Sequence, residues 1–128
     1  DSFIAYCFAE KTGYSKFGSY TGNGNANGTF VYTGFKPAWV MVKVTSTANN
    51  WLMYDNKRDT FNPTDNYLSA DLSGAEEADS AIDVDFLSNG FKCYGTSSAL
   101  NSSGASYIYM AFAEAPLVGS NNVPCTAR

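Results

Sequence analysis

Carboxylates, tyrosines, lysines and cysteines are what this chain has for reaction chemistry, because its 128 residues include no histidine. Ser-His-Asp and Cys-His nucleophile pairs, an HExxH zinc helix and any imidazole proton shuttle are therefore excluded within it. Six carboxylates, Asp71, Glu76, Glu77, Asp79, Asp83 and Asp85, fall within fifteen residues. Oxygen-rich loops can hold Ca²⁺, but this spacing matches no EF-hand, and a solvated acidic surface with no metal is the expectation. A glycosidase needs two carboxylates facing each other across a cleft, ~5 to 9 Å apart. Nothing in the spacing of the twelve acidic residues selects such a pair, so the expectation is a protein that is not an enzyme and carries no cofactor.

Cys7, Cys93 and Cys125 are an odd number at wide spacings with no CxxC, so no zinc ribbon or thioredoxin-like motif can be read. One disulfide with a free thiol, or three reduced thiols, both fit.

Aromatic rings near loops can stack on the apolar faces of sugars while Asn, Asp and Arg satisfy the hydroxyls. Tyr14, Tyr20, Trp51, Tyr54 and Tyr67 are candidates for this role, with Asn56 and Asn66 nearby. Trp51 and Tyr54 fall in an expected strand, where core or cross-strand packing competes with binding. Tyr14, in a loop beside Gly13, is the better candidate. In Asp55-Asn56-Lys57-Arg58-Asp59, Arg58 reads first as a clamp on a carboxylate that pins the following loop, and second as a ligand-binding cation.

The elements that must position these groups are strands. The chain is 45% hydrophobic, and its nine Tyr, nine Phe and two Trp make 16% of it, while charged residues make only another 16%. Such a chain is too aromatic for disorder and too weakly charged for a charge-laced helical bundle. Its length suits a single domain, residues 1–128, able to bury roughly 65% of its unfolded surface. A net charge of −4 attracts neither nucleic acid nor an anionic membrane. The longest apolar stretches, Phe3–Ala9 and Tyr107–Ala113, are seven residues each, against the ~20 of a membrane-spanning helix. With Asp1 leading straight into an apolar stretch, the chain is expected to be a piece of something longer.

Alternation of period two recurs along the sequence. Ile82-Asp83-Val84-Asp85-Phe86 places three apolar side chains on one face and two carboxylates on the other. Ser88-Asn89-Gly90 then turns the chain, with positive φ expected at Asn89 and Gly90, and Phe91–Tyr94 returns. A second hairpin joins Ala38–Thr45 to Trp51–Asn56, and its first arm reads as a central strand, with Val40, Val42 and Val44 on one face. Lys16–Thr21 and Thr29–Thr33 read as strands around a surface loop, Gly22–Gly28, without side chains large enough to pack. Residues 57–81 are the least regular, with a short strand expected at Tyr67-Leu68-Ser69 and one helical turn at 74–78. The expected architecture is an all-β antiparallel sandwich, jelly-roll or concanavalin-like, of about eight strands. Its interior is expected to hold Phe3, Ile4, Phe8, Phe30, Tyr32, Val40, Val42, Leu52, Ile82, Val84, Phe86, Ile108 and Phe112. Residues 2–10 also match residues 106–114 at a constant offset of 104, with Ser, Ile, Phe, Ala and Glu identical; a tandem array would leave this pattern, the alternative being that two apolar strands look alike.

Gly13–Gly24, Phe30–Ala38, Tyr54–Arg58, Asp85–Lys92 and Tyr107–Glu114 together resemble a domain found near the C-terminus of bacteriophage tail-fibre and other virion proteins, marine ones especially. That domain is similar to the closing unit of tandem concanavalin- or laminin-G-like sandwiches. The resemblance covers nearly the whole chain. It implies a virion-surface, extracellular component, part of a fibre or decoration that meets a host glycan coat, and a homo-oligomer, a trimer by analogy, or contacts with other virion subunits. No catalytic residues come with it. The ending from Pro116 to Arg128 also resembles the family's usual terminus, from which Cys125 departs.

Overall fold

The computed structural model describes residues 1–114. Cys125 and the Pro116–Arg128 ending lie outside the described residues. Among those described there are nine strands and no helix: β1 (Ser15–Thr21), β2 (Asn27–Tyr32), β3 (Trp39–Val44), β4 (Leu52–Asp55), β5 (Asn66–Ser69), β6 (Glu77–Ala78), β7 (Val84–Leu87), β8 (Gly90–Tyr94) and β9 (Ser106–Phe112). They form two antiparallel sheets, one ordered β1-β9-β3-β4-β5-β6 and one ordered β2-β8-β7. The expected two-sheet sandwich is what the chain builds.

β3 shows why. Its sequence Trp-Val-Met-Val-Lys-Val turns Val40, Val42 and Val44 inward, all fully buried, each contributing about 1.5 to 3 kcal/mol by leaving water. Central position follows: β3 pairs with β4 on one side and β9 on the other. The two sheets meet through Phe91 of β8, whose ring lies 6.2 Å from Tyr20 of β1 and 5.4 Å from Tyr109 of β9, both edge-on. Tyr54 is fully buried and its hydroxyl donates to the Ile82 carbonyl at 2.8 Å, which ties β4 to the segment leading into β7.

Several expectations are corrected. Residues 2–10 are not a strand, and every one of them is exposed, so Phe3, Ile4 and Phe8 are not interior. The place such a strand would fill, between β1 and β3, is already taken by β9. In β2 the inward side chain is Val31, while Phe30 and Tyr32 face out. A register irregularity lies between Asn27 and Phe30, so that the buried positions Gly28 and Val31 stand three residues apart rather than two. β9 has the same phase difference: Tyr107, Tyr109 and Ala111 point inward, Ile108 is exposed and Phe112 is half-buried. The β7–β8 turn is Ser88-Asn89 alone. Gly90 already pairs with Leu87 and Tyr32, and its φ is not positive; it is glycine because a Cβ there would stand 2.1 Å from the Val31 carbonyl oxygen. The helical turn expected at 74–78 is instead the two-residue β6, paired with β5 and anchored by the Tyr67 hydroxyl, which donates to Glu77 Oε2 at 2.7 Å.

The Gly22–Gly28 loop is also more than a surface tip. Asn101, fully buried, sits under it. Its Nδ2 donates to Asn23 Oδ1, the Asn25 carbonyl and the Gly95 carbonyl at 2.9 to 3.0 Å, and its Oδ1 accepts from the Asn23 N–H and the Thr29 hydroxyl. Gly28 packs so closely that a Cβ would stand 2.1 Å from the Cys93 carbonyl oxygen.

Candidate functional site

The sequence candidates are positioned for structure. Tyr20 stacks on Tyr107 at 4.8 Å and 9°, and its hydroxyl donates to the Leu100 carbonyl at 2.7 Å. Tyr54 and Tyr67 are buried, and burial raises the hydroxyl pKa of both, that of Tyr67 to about 12 with Glu77 adding to the shift. A ring buried in this way presents no face to a sugar. Trp51 is half-buried just ahead of β4, where its backbone N–H donates to Asp71 Oδ1 at 3.0 Å. The Asn56 N–H donates to the Ala38 carbonyl. Asn66 binds Asp59 through both its backbone and its side-chain amide.

Arg58 is the clamp its surroundings suggest. Its Nε lies 2.9 Å from Asp55 Oδ2, and its Nη1 pairs with Glu76, which joins the end of β4 to the segment before β6. The hydrogen bond to Glu76 leads in raising the guanidinium pKa. For Asp55, burial works upward, but the N–H groups of Arg58 and Lys57 and the Arg58 guanidinium outweigh it and hold the carboxyl below its ordinary value. Tyr14, half-buried, turns its ring edge-on to Phe112 at 5.8 Å. These eight residues are thus dispersed and engaged with the protein itself.

The thiols separate by burial. Cys7 is exposed and Cys93 is buried, and neither is in a disulfide. Burial pushes the Cys93 thiol up to about 12.

What the fold does gather is a groove of about 410 Å³ lined by Glu10, Thr12, Gly13, Ser15, Lys16, Tyr32, Thr33 and Gly34. One wall is the tight turn into β1. There the Tyr14 and Ser15 N–H groups donate to the Lys11 carbonyl, and buried Ser15 accepts from the Lys11 N–H and donates to the Ala9 carbonyl. The other wall is the end of β2 and the bend after it. The Thr33 and Gly34 N–H groups donate to the Asn89 carbonyl, and the buried Thr33 hydroxyl donates to the Phe35 carbonyl at 2.7 Å. Both walls are therefore fixed by backbone bonds.

Tyr32 stands on the rim, 64% exposed. Lys16 Nζ lies 3.2 Å from Glu10 Oε2, and Glu10 Oε1 accepts from the Phe17 N–H at 3.1 Å. The Phe17 N–H first and then Lys16 hold the Glu10 carboxyl below its ordinary value. Glu10 is the only carboxylate among the described residues lining the groove. An acid held ionised accepts hydrogen bonds but is a poor proton donor near neutrality. An outward ring, an acceptor and a cation around a shaped hollow can bind a polyhydroxylated ligand: the ring covers C–H faces and the charged pair meets hydroxyls.

Sequence reasoning missed Tyr32 because Phe30-Val31-Tyr32 puts two bulky rings around one valine, and bulk argues for the wrong face. The Gly13, Ser15 and Lys16 flanks of Tyr14 were the available signal.

Residues 1–116 match the model of a family described as Domain of unknown function (DUF7483). The chain belongs to this family. No curated protein and no solved structure matches it. The match spans all nine strands of the described residues, the groove and Asn101.

Proposed function

We propose that this DUF7483 domain is a non-enzymatic module of a phage fibre or virion-surface protein that attaches to host-surface glycan through the Glu10–Lys16–Tyr32 groove. The observation that carries the reading is the outward Tyr32 ring beside a preformed hollow holding an ionised acid and a lysine. The resemblance to virion tail-fibre domains supports the setting, outside the cell and at the virion surface. Shallow polar grooves bind single sugars weakly, so the module works in several copies, in a fibre as a trimer, where linked sites multiply a modest affinity.

Glycan-array binding of the intact chain tests this. The chain is expected to bind a subset of surface polysaccharides, Tyr32→Ala to lose at least about tenfold in signal, as expected for losing one ring contact, and Trp51→Ala to bind like the parent. Absence of binding by the parent, or equal binding by Tyr32→Ala, overturns the reading.

A further inference from the structure

Residues 2–10 present an anomaly. Phe3, Ile4 and Tyr6 are 89%, 84% and 82% exposed, apolar side chains close together with nothing in the sandwich to cover them. A contiguous apolar run of this kind marks an interaction surface.

The sequence specifies what it fits. At an offset of 104 the segment matches β9 and its two following residues, with five of nine identities. The match holds where geometry matters. The inward positions of β9, Tyr107, Tyr109 and Ala111, are buried, and their counterparts are Phe3, Ala5 and Cys7, all apolar. The segment therefore has the alternation of a strand whose inner face belongs in a core, yet in this sandwich the place for such a strand is filled by β9.

We infer that Ser2–Glu10 is the closing strand of a second unit of this same fold, lying between the β1 and β3 of that unit, and that the present sandwich begins at about Lys11. Successive units then follow one another at a period of 104 residues. The closing strand of one runs through the Lys11–Tyr14 turn into the opening strand of the next. The junction is already specified on this side: Glu10 is bound by Lys16 and the Phe17 N–H, and Phe8 packs on Phe17 and on its own counterpart, Phe112. The inference stands on exposure and self-similarity and does not depend on the groove binding a glycan.

A tandem protein tests it: residues 11–105 placed directly ahead of residue 2 of the intact chain, so that Ser2–Glu10 occupy the position of Ser106–Glu114 in the added unit. Alkylation of Cys7 is followed by peptide mass spectrometry in the single chain and in the tandem. In the single chain Cys7 is exposed and labels fast; in the tandem it takes the buried place of Ala111 and is expected to label at least about tenfold more slowly, as protection by folding requires. Because Ala5 replaces the larger Tyr109, a second tandem carries Ala5→Tyr to refill that position. Protection of Cys7 in either tandem supports the inference; full-speed labelling in both overturns it. In the single chain, Phe3→Ser, Ile4→Ser and Tyr6→Ser together are expected to leave the melting midpoint unchanged. A lowered midpoint would place the segment in this unit and overturn the inference.

Discussion

The rings of Phe8 and Phe112 lie 5.9 Å apart, edge-on, although the two residues are 104 positions apart and occupy equivalent places in two matching segments. Phe112 is the hub of that contact. Tyr14, Phe17 and Trp39 each approach it at 5.8 Å, so one half-buried ring joins β9, β1, β3 and the turn into β1. Phe8 is 59% exposed and touches only one side of the cluster. Phe112→Ala is therefore expected to cost about 2 kcal/mol and Phe8→Ala less than about 1 kcal/mol, read as shifts of the urea midpoint.

Asn101 carries a second prediction. Removing its amide empties a fully buried position and takes their partner from the Asn23 N–H and the half-buried Asn25 and Gly95 carbonyl contacts. Asn101→Ala is expected to cost about 2 to 4 kcal/mol in chemical denaturation, since unpaired buried groups keep their desolvation penalty. A loss under 1 kcal/mol would mean that water takes over the role.

Asp83 opposes folding near neutrality. Burial first, then the charges of Asp65, Asp79, Asp85 and Asp59, raise its carboxyl pKa, and its Oδ1 is buried without a hydrogen-bond partner. A carboxyl whose folded pKa lies above its unfolded one carries its full penalty above the folded value and none below the unfolded value of 3.8. Asp83→Asn should thus stabilise the protein at pH 7 by about 0.5 to 1 kcal/mol, with the gain fading as pH falls through the raised pKa toward that lower limit. Thermal melts at pH 7 and pH 3 read the difference; an equal gain at both would remove the electrostatic cause.

Gly90 is a steric requirement. A methyl group there would meet the Val31 carbonyl oxygen at 2.1 Å, between the backbones of β8 and β2 where no side chain can yield. Gly90→Ala is expected to cost more than about 2 kcal/mol. A circular-dichroism melt that matches the parent would show that the strands can part.

What could be read from the sequence depended on contrast between faces. β3 was legible because Val40, Val42 and Val44 recur at every second residue, and the β7–β8 hairpin because valine and phenylalanine alternate there with aspartate and lysine. In β9 the apolar run Tyr107–Ala113 contains no contrast, so its phase is set by tertiary partners: the Tyr107 hydroxyl donates to the Ser98 carbonyl and accepts from the Ser102 N–H, which lets a tyrosine be fully buried. In β2 an irregularity of register hid the alternation. The loop Gly22–Gly28 looked inert because its organiser, Asn101, is more than 70 residues away in sequence. The groove escaped notice for the same reason, since Glu10 and Lys16 meet Tyr32 only through the crossing of β1 and β2 between sheets.

The Glu10 carboxylate has a duty apart from any ligand. β1 borders the larger sheet, and a bare border of unpaired amides invites strangers to add themselves without limit. By occupying the Phe17 N–H, Glu10 acts as a stopper on that border, one that acid would loosen by neutralising the carboxylate. Strongly acidic solution is where this protein should be most prone to grow into fibrils.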